Sequence, residues 1–214
     1  MTAMLSVKHC IIATFLLFSV LNAGAQDFDI KHYDIDITVR ENGALRIRET
    51  VDVFFTKAKH GIYKDIPTHY SIDYQANLEK AKYKFLQNDL LTMPITVIKV
   101  HPETYTLESL QNVLRIKIGD EDTTVEGSQR YIIEYEVDNI AAFYSNHVDI
   151  NWNLIGEQWK SRIEKATYTL HFPKPQSPTR PIVYSTFTGY VGSNANHSQS
   201  AWVDRPFGKT APPR

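Results

Sequence analysis

From Phe28 to Arg40 the sequence alternates strictly, with Tyr33, Ile35, Ile37 and Val39 in one column and Asp34, Asp36, Thr38 and Arg40 in the other. A repeat of two matches the pleat of an extended chain, and β-branched residues in one column suit a half-buried strand. Glu41-Asn42-Gly43 follows, and an Asn-Gly pair supplies the positive φ angles of a tight hairpin turn. The return strand puts Leu45, Ile47, Val51, Val53 and Phe55 inward and leaves Arg46, Arg48, Glu49 and Asp52 outward or at the edge.

The same alternation recurs at Ile95 to Val100, Val113 to Ile118, Arg130 to Val137 and Arg162 to Phe172; Tyr131, Ile133 and Tyr135 share one face of the third, and Ala166, Tyr168, Leu170 and Phe172 one face of the fourth. Short alternating strands without long helical patterns between them point to an all-β chain, an antiparallel immunoglobulin-like β-sandwich with little helix. Asn77 to Leu91 is the exception, because Leu78, Ala81, Lys82, Phe85 and Leu86 sit near helical spacing and predict a short helix or an irregular excursion. Pro173, Pro175, Pro178 and Pro181 then crowd one stretch. Proline cannot donate to a ladder, so a linker or edge crossing is expected before a strand at Ile182 to Phe187.

Ahead of the first strand, Lys8 and His9 precede an uncharged apolar run from Cys10 to Leu21 and then Ala23-Gly24-Ala25. A short positive region, an apolar stretch too short to span a bilayer comfortably and a small-x-small site read as a secretory signal peptide over residues 1–25. The mature chain is expected to begin at Gln26, to fold over residues 26–190 and to end in a loose polar tail over 191–214. Cys10 is the only cysteine and leaves with the leader, which excludes disulfides, thiol catalysis and cysteine-ligated zinc from the mature chain. With 23 basic against 24 acidic residues, the chain lacks the basic footprint of a nucleic-acid binder. At 43% hydrophobic and 12% aromatic, it can bury a sizeable core. Charges interrupt every apolar stretch after Ala25, so no membrane span is expected in the mature chain.

Two clusters are candidate ligand-binding sites. His60, Tyr63, Lys64 and Asp65 lie just past the first hairpin, where a loop could aim an imidazole, an amine and a carboxylate at a polar ligand. The same residues also suit a structural corner, with Gly61 giving backbone freedom, Ile62 and Ile66 buried, Lys64 and Asp65 solvated or paired, and Pro67 closing the bend. Asp149, Asn151, Trp152, Asn153, Glu157 and Trp159 form the second cluster, resembling a sugar or peptide groove in which indole faces stack and amides or carboxylates bond. Its structural reading places both tryptophans in the core. Asp149 and Glu157 are the only local carboxylate pair that could serve a glycosidase. The acidic loop from Gly119 to Gly127 fails the calcium-loop pattern, since Val125 and Tyr131 stand where glycine and glutamate are needed, and it reads as a hairpin loop. The histidines show no metal-ligand spacing, and no nucleophile elbow, phosphate loop or dinucleotide fingerprint is present; no catalytic residue, metal or cofactor is expected.

The Asn42-Gly43 hairpin with Glu49-Thr50, the His60 to Pro67 corner, Ile116-Lys117-Ile118-Gly119-Asp120 with Gly127, the Tyr131 to Tyr135 strand and Trp152-Asn153-Leu154-Ile155-Gly156 with Trp159 stand in this order behind the leader. Together they resemble the N-terminal domain of the predicted membrane proteins of domain-of-unknown-function family 2207, over roughly Phe28 to Phe172. The resemblance implies an extracytoplasmic β-sandwich that precedes transmembrane helices, and it carries over no catalytic residue and no ligand. Lys64 stands where the family's corner more usually has arginine, and Ser161-Arg162-Ile163 follows Trp159 where a proline is expected before the isoleucine. The expected function is that of an exported, non-enzymatic module with an unknown ligand or protein partner outside the cytoplasm, periplasmic or extracellular. The chain is then either a truncated member of that family or a secreted stand-alone version. The alternative is a periplasmic or secreted carbohydrate-binding or carbohydrate-active protein using Trp152 to Trp159.

Overall fold

The computed structural model describes residues 27–71, 86–87, 90–144, 147–156, 159 and 161–173. All of them fall in one compact unit that ends at Pro173. The expected strand at Ile182 to Phe187, the tail and the leader lie outside the described residues.

Every described regular element is a strand, as the alternation implies. In chain order these are β1 (Phe28–Val39), β2 (Leu45–Lys59), β3 (Gly61–Pro67), β4 (His69–Ser71), β5 (Leu86–Gln87), β6 (Leu90–Thr92) and β7 (Ile95–His101). Then come β8 (Tyr105–Leu110), β9 (Val113–Gly119), β10 (Val125–Val137), β11 (Ala141–Phe143), β12 (Val148–Ile150) and β13 (Ala166–His171). They assemble as a five-stranded sheet ordered β13-β1-β2-β10-β7, two three-stranded sheets ordered β3-β9-β8 and β4-β6-β5, and the β11-β12 ribbon. The ladders are antiparallel except at one edge, where β13 runs parallel to β1 from Tyr33↔Ala166 to Thr38↔His171.

One apolar cluster joins the inner faces. Ile35, Ile37, Ile47, Val51, Ile133 and Val137 of the five-stranded sheet share it with Ile62, Ile66, Ile116 and Ile118 of β3 and β9, all nearly or fully buried. On β1 the buried column shifts at a register irregularity between Ile30 and His32, which brings Tyr33 inward after Ile30.

Four expectations are corrected. Glu49 is not outward: it is 0% exposed, in the buried column between Ile47 and Val51 where strict alternation puts it. His60 to Pro67 is not a corner, since Gly61 to Pro67 pair with β9 over their whole length. Leu86–Gln87 and Leu90–Thr92 are strands where a short helix or an irregular excursion was expected, and the rest of that segment lies outside the described residues. Only Gly43 of the Asn-Gly pair takes positive φ, at 83°. The Gly43 N–H closes the turn onto the Arg40 carbonyl at 2.9 Å, and Asn42 Oδ1 accepts the Ala44 N–H at 3.1 Å.

Candidate functional site

Alternation on β3 divides the first sequence cluster between two faces. Ile62, Lys64 and Ile66 point into the core, whereas Tyr63, 55% exposed, and Asp65 lie on the outer face. Asp65 takes a two-pronged ion pair from Arg115, Nε to Oδ1 at 2.7 Å and Nη2 to Oδ2 at 2.8 Å, and the same guanidinium sits 5.1 Å over the Tyr63 ring. His60 is exposed, with Nδ1 3.2 Å from the carbonyl oxygens of both Asp120 and Thr123. Both neighbours are acceptors, so Nδ1 carries the proton and ties the turn before β3 to the loop after β9. The imidazole, amine and carboxylate that looked convergent in sequence thus serve three separate places.

Lys64 enters a different constellation. Its Nζ lies 2.9 Å from Glu49 Oε2 and donates to the Tyr33 hydroxyl at 2.9 Å. Tyr33 donates to Glu49 Oε2 at 2.5 Å, and Tyr135 donates to Oε1 at 2.6 Å. The third ammonium proton reaches the Ile155 carbonyl at 3.4 Å. One cation, one anion and two phenols from β1, β2, β3 and β10 therefore form a closed set, with Lys64 only 5% exposed. Closure is what burial demands, because an unpartnered charge in a core is far costlier than a satisfied pair. Burial, the Glu49 charge and the hydrogen bond to it push both the Tyr33 and the Tyr135 phenol well above the usual tyrosine range.

The second cluster meets the first at this point. Trp159 donates Nε1–H to the Ile155 carbonyl at 3.1 Å and stands edge-on to Tyr33, ring centres 5.7 Å apart. Asn153 Oδ1 accepts the Gly156 N–H at 3.0 Å and shapes the turn that brings Ile155 over Lys64. Trp152 packs partly buried against the core, with its buried Nε1 unpartnered. Asn151 is exposed, and Asp149 is exposed on β12 with His147 Nε2 3.5 Å away. Glu157 lies outside the described residues. Among the described residues no group of three His, Cys, Asp or Glu side chains converges to hold a metal.

Sequence reasoning missed Glu49, Tyr33 and Tyr135 as site residues, although parity counting from Leu45 puts Glu49 in the inward column with Ile47 and Val51. The arrangement can clamp two sheets together and hold a proton in a fixed hydrogen-bonded set; it presents no unpartnered acid or base.

Fold and site define an all-β domain in which two of the sheets are joined by a buried lysine–glutamate–tyrosine set. The chain belongs to the family described as the N-terminal domain of predicted membrane proteins, DUF2207, whose profile matches residues 29–210. No curated protein is significantly similar to it. Among solved structures, the chain is similar to an M1 zinc metallopeptidase from Deinococcus radiodurans, at 12% identity and TM-score 0.31, over 51% of this chain and 20% of that one. A two-domain M1 zinc metallopeptidase bound to L-tryptophan is 13% identical at TM-score 0.31, over 53% and 21%. Yeast LTA4 hydrolase in complex with bestatin is 11% identical at TM-score 0.29, over 53% and 15%. The chain thus spans about a fifth of the length of the metallopeptidases it matches.

Proposed function

We propose that this chain is the exported β-module of a membrane protein and acts by binding a ligand or partner outside the cytoplasm rather than by catalysis. The observation that carries the reading is the closed Glu49–Lys64–Tyr33–Tyr135 set. The buried acid and amine best suited to proton transfer are consumed by each other, by two phenols and by a backbone carbonyl. A general acid or base needs an atom within reach of substrate, and this set offers none. Membership in a predicted membrane-protein family supports anchoring in the intact protein, and no helix among the described residues is long and apolar enough to cross a membrane. The leader-like segment before Gln26 supports export. Both tryptophans pack against the core, and the Trp159 N–H is spent on Ile155, which supports a structural use of this segment over a sugar-stacking one.

On this reading residues 26–190 are the exported domain and 191–214 its polar tail, boundaries that limited proteolysis would check. The test is fractionation of native cells with intact-mass analysis, followed by assay of the purified product on glycan, ester and peptide substrates. An extracytoplasmic product beginning at Gln26 and inert on all substrates is expected. Turnover abolished by Asp149→Asn or Glu157→Gln, or a product confined to the cytoplasm, would overturn the reading.

A further inference from the structure

Among the described residues none after Ala142 is buried, although they run on to Pro173. The core cluster is drawn from Ile30 to Ile140, and every apolar group that the segment from Trp152 to Leu170 lays on it is only partly buried. The same segment holds both buried side-chain polar atoms that lack a hydrogen-bond partner among the described residues, Trp152 Nε1 and the Tyr168 hydroxyl. Each has given up water with nothing in return, which weakens the docking of the segment.

What holds the segment down is correspondingly light. Strand β13 joins the five-stranded sheet by its parallel ladder, the weaker kind per residue. Just ahead of it, the Ile30 and Tyr33 N–H groups donate to the Arg162 and Lys165 carbonyls, and the Glu164 N–H donates to the Ile30 carbonyl, all at 2.9 Å. Lys31 with Glu164 at 2.6 Å and His171 with Asp36 at 3.0 Å cross the seam between side chains that are 40–48% exposed, where such pairs contribute little. The Thr167 hydroxyl adds a link, donating to Asp34 Oδ1 at 2.5 Å beside His32 Nε2. Over the Glu49–Lys64 clasp the segment places the Ile155 carbonyl, whose bond from Lys64 at 3.4 Å is the longest of that set. Gly156 lies beside it, where an added Cβ would stand 3.9 Å from Lys64 Nζ.

We propose that the segment from Trp152 to His171 is a strap that opens as one unit while the sheets beneath it stay folded. Its ladder is with β1, and β1 remains paired to β2 from Phe28↔Phe55 to Val39↔Leu45 once β13 has left. Opening removes the Ile155 carbonyl and Gly156 from above Lys64, admits water to an amine that is 5% exposed in the closed state, and bares the outer edge of β1. Such local openings draw on the elements with the least buried apolar surface and lie below the free energy of global unfolding. The domain therefore has a sealed and an opened form that differ at the clasp, a property that does not depend on what it binds.

Hydrogen exchange of the purified chain tests this. The Ile30, Tyr33 and Glu164 amides, which bond strap to β1, should share one opening constant. It should be at least about tenfold larger than that of the β2–β10 ladder amides and less sensitive to urea, because less surface is exposed. Tyr168→Phe removes an orphan hydroxyl and keeps the ring, so the shared constant should fall at least about fivefold. Labelling of Lys64 by an amine-reactive ester should slow by the same factor. Trp159→Ala should act in reverse, raising the constants at all three amides equally while the β2–β10 ladder stays protected. Exchange of the three amides only through global unfolding, unrelated constants among them, faster or unchanged exchange in Tyr168→Phe, or Lys64 labelling indifferent to that substitution would each overturn the proposal.

Discussion

Glu49 of β2 and Lys64 of β3 belong to different sheets and meet at 2.9 Å, with side chains 0% and 5% exposed. Their contact is a polar bolt through an otherwise apolar interface, closed by the hydroxyls of Tyr33 and Tyr135. Removing one partner strands the other charge in the core, so Lys64→Met or Glu49→Leu is expected to cost about 3–5 kcal/mol in urea unfolding. The Glu49→Leu/Lys64→Met double variant should cost clearly less than the two singles summed. It leaves no buried charge, although two phenols still lose their acceptor. Additive losses would mean that the pair is not coupled as its geometry requires.

Alkaline pH should weaken the fold through the same set. Tyr33 and Tyr135 are pushed well above the usual range, and burial pushes Tyr131 up to about 12. Raised folded values mean that this stability is fully present below about pH 10, where tyrosines of neither state ionise. Above it the unfolded chain releases protons that the folded chain retains, so stability falls by about 1.4 kcal/mol per pH unit for each such tyrosine. Denaturation at pH 9, 10 and 11 would measure the slope, and Tyr135→Phe should remove one tyrosine's share of it. An unchanged slope in that variant would count against the assignment.

The hairpin, the β9 and β10 strands and most of the inward columns were legible in sequence because a half-buried strand writes its environment in alternate positions. Glu49 was not: a carboxylate suggests water, and the lysine that licenses its burial comes from another sheet, a long-range fact no local window holds. The β3 strand was masked by its own ends, since Gly61 and Pro67 punctuate it like a turn. The β8 strand was unreadable because both its faces are exposed, which removes the contrast on which alternation depends. In the tryptophan segment the sequence left a groove and a core reading open, because the Trp159 N–H meets a backbone carbonyl, a partner that leaves no trace in side-chain patterns.

The β3–β9 ladder begins with two glycines face to face, Gly61 opposite Gly119, at φ 135° and 132°. A Cβ on Gly61 would fall 1.9 Å from the Ile118 carbonyl oxygen, and one on Gly119 would fall 1.8 Å from that of His60. Both obstacles are backbone and cannot rotate away, so Gly61→Ala or Gly119→Ala should cost more than about 4 kcal/mol or prevent folding. Gly127→Ala is the control: at φ 67° with nothing within 4 Å, it should cost only about 1–2 kcal/mol of backbone strain. Thermal melts of the three variants would rank them, and a Gly61→Ala protein as stable as Gly127→Ala would contradict the close approach.

Trp159 serves the clasp in two separable ways, as a ring packed edge-on to Tyr33 and as an N–H donor to the Ile155 carbonyl that also faces Lys64. Trp159→Phe keeps an aromatic ring but withdraws the donor, so it should cost about 1 kcal/mol, the net worth of one such bond. Trp159→Ala also empties the space beside Tyr33 and should cost about 3–5 kcal/mol. If the two variants lost the same stability, the ring would contribute nothing and the indole would act only as a tether for the 152–156 turn. If Trp159→Phe were neutral, the Ile155 carbonyl would be held by Lys64 alone, and the turn would depend on the same buried amine that joins the sheets.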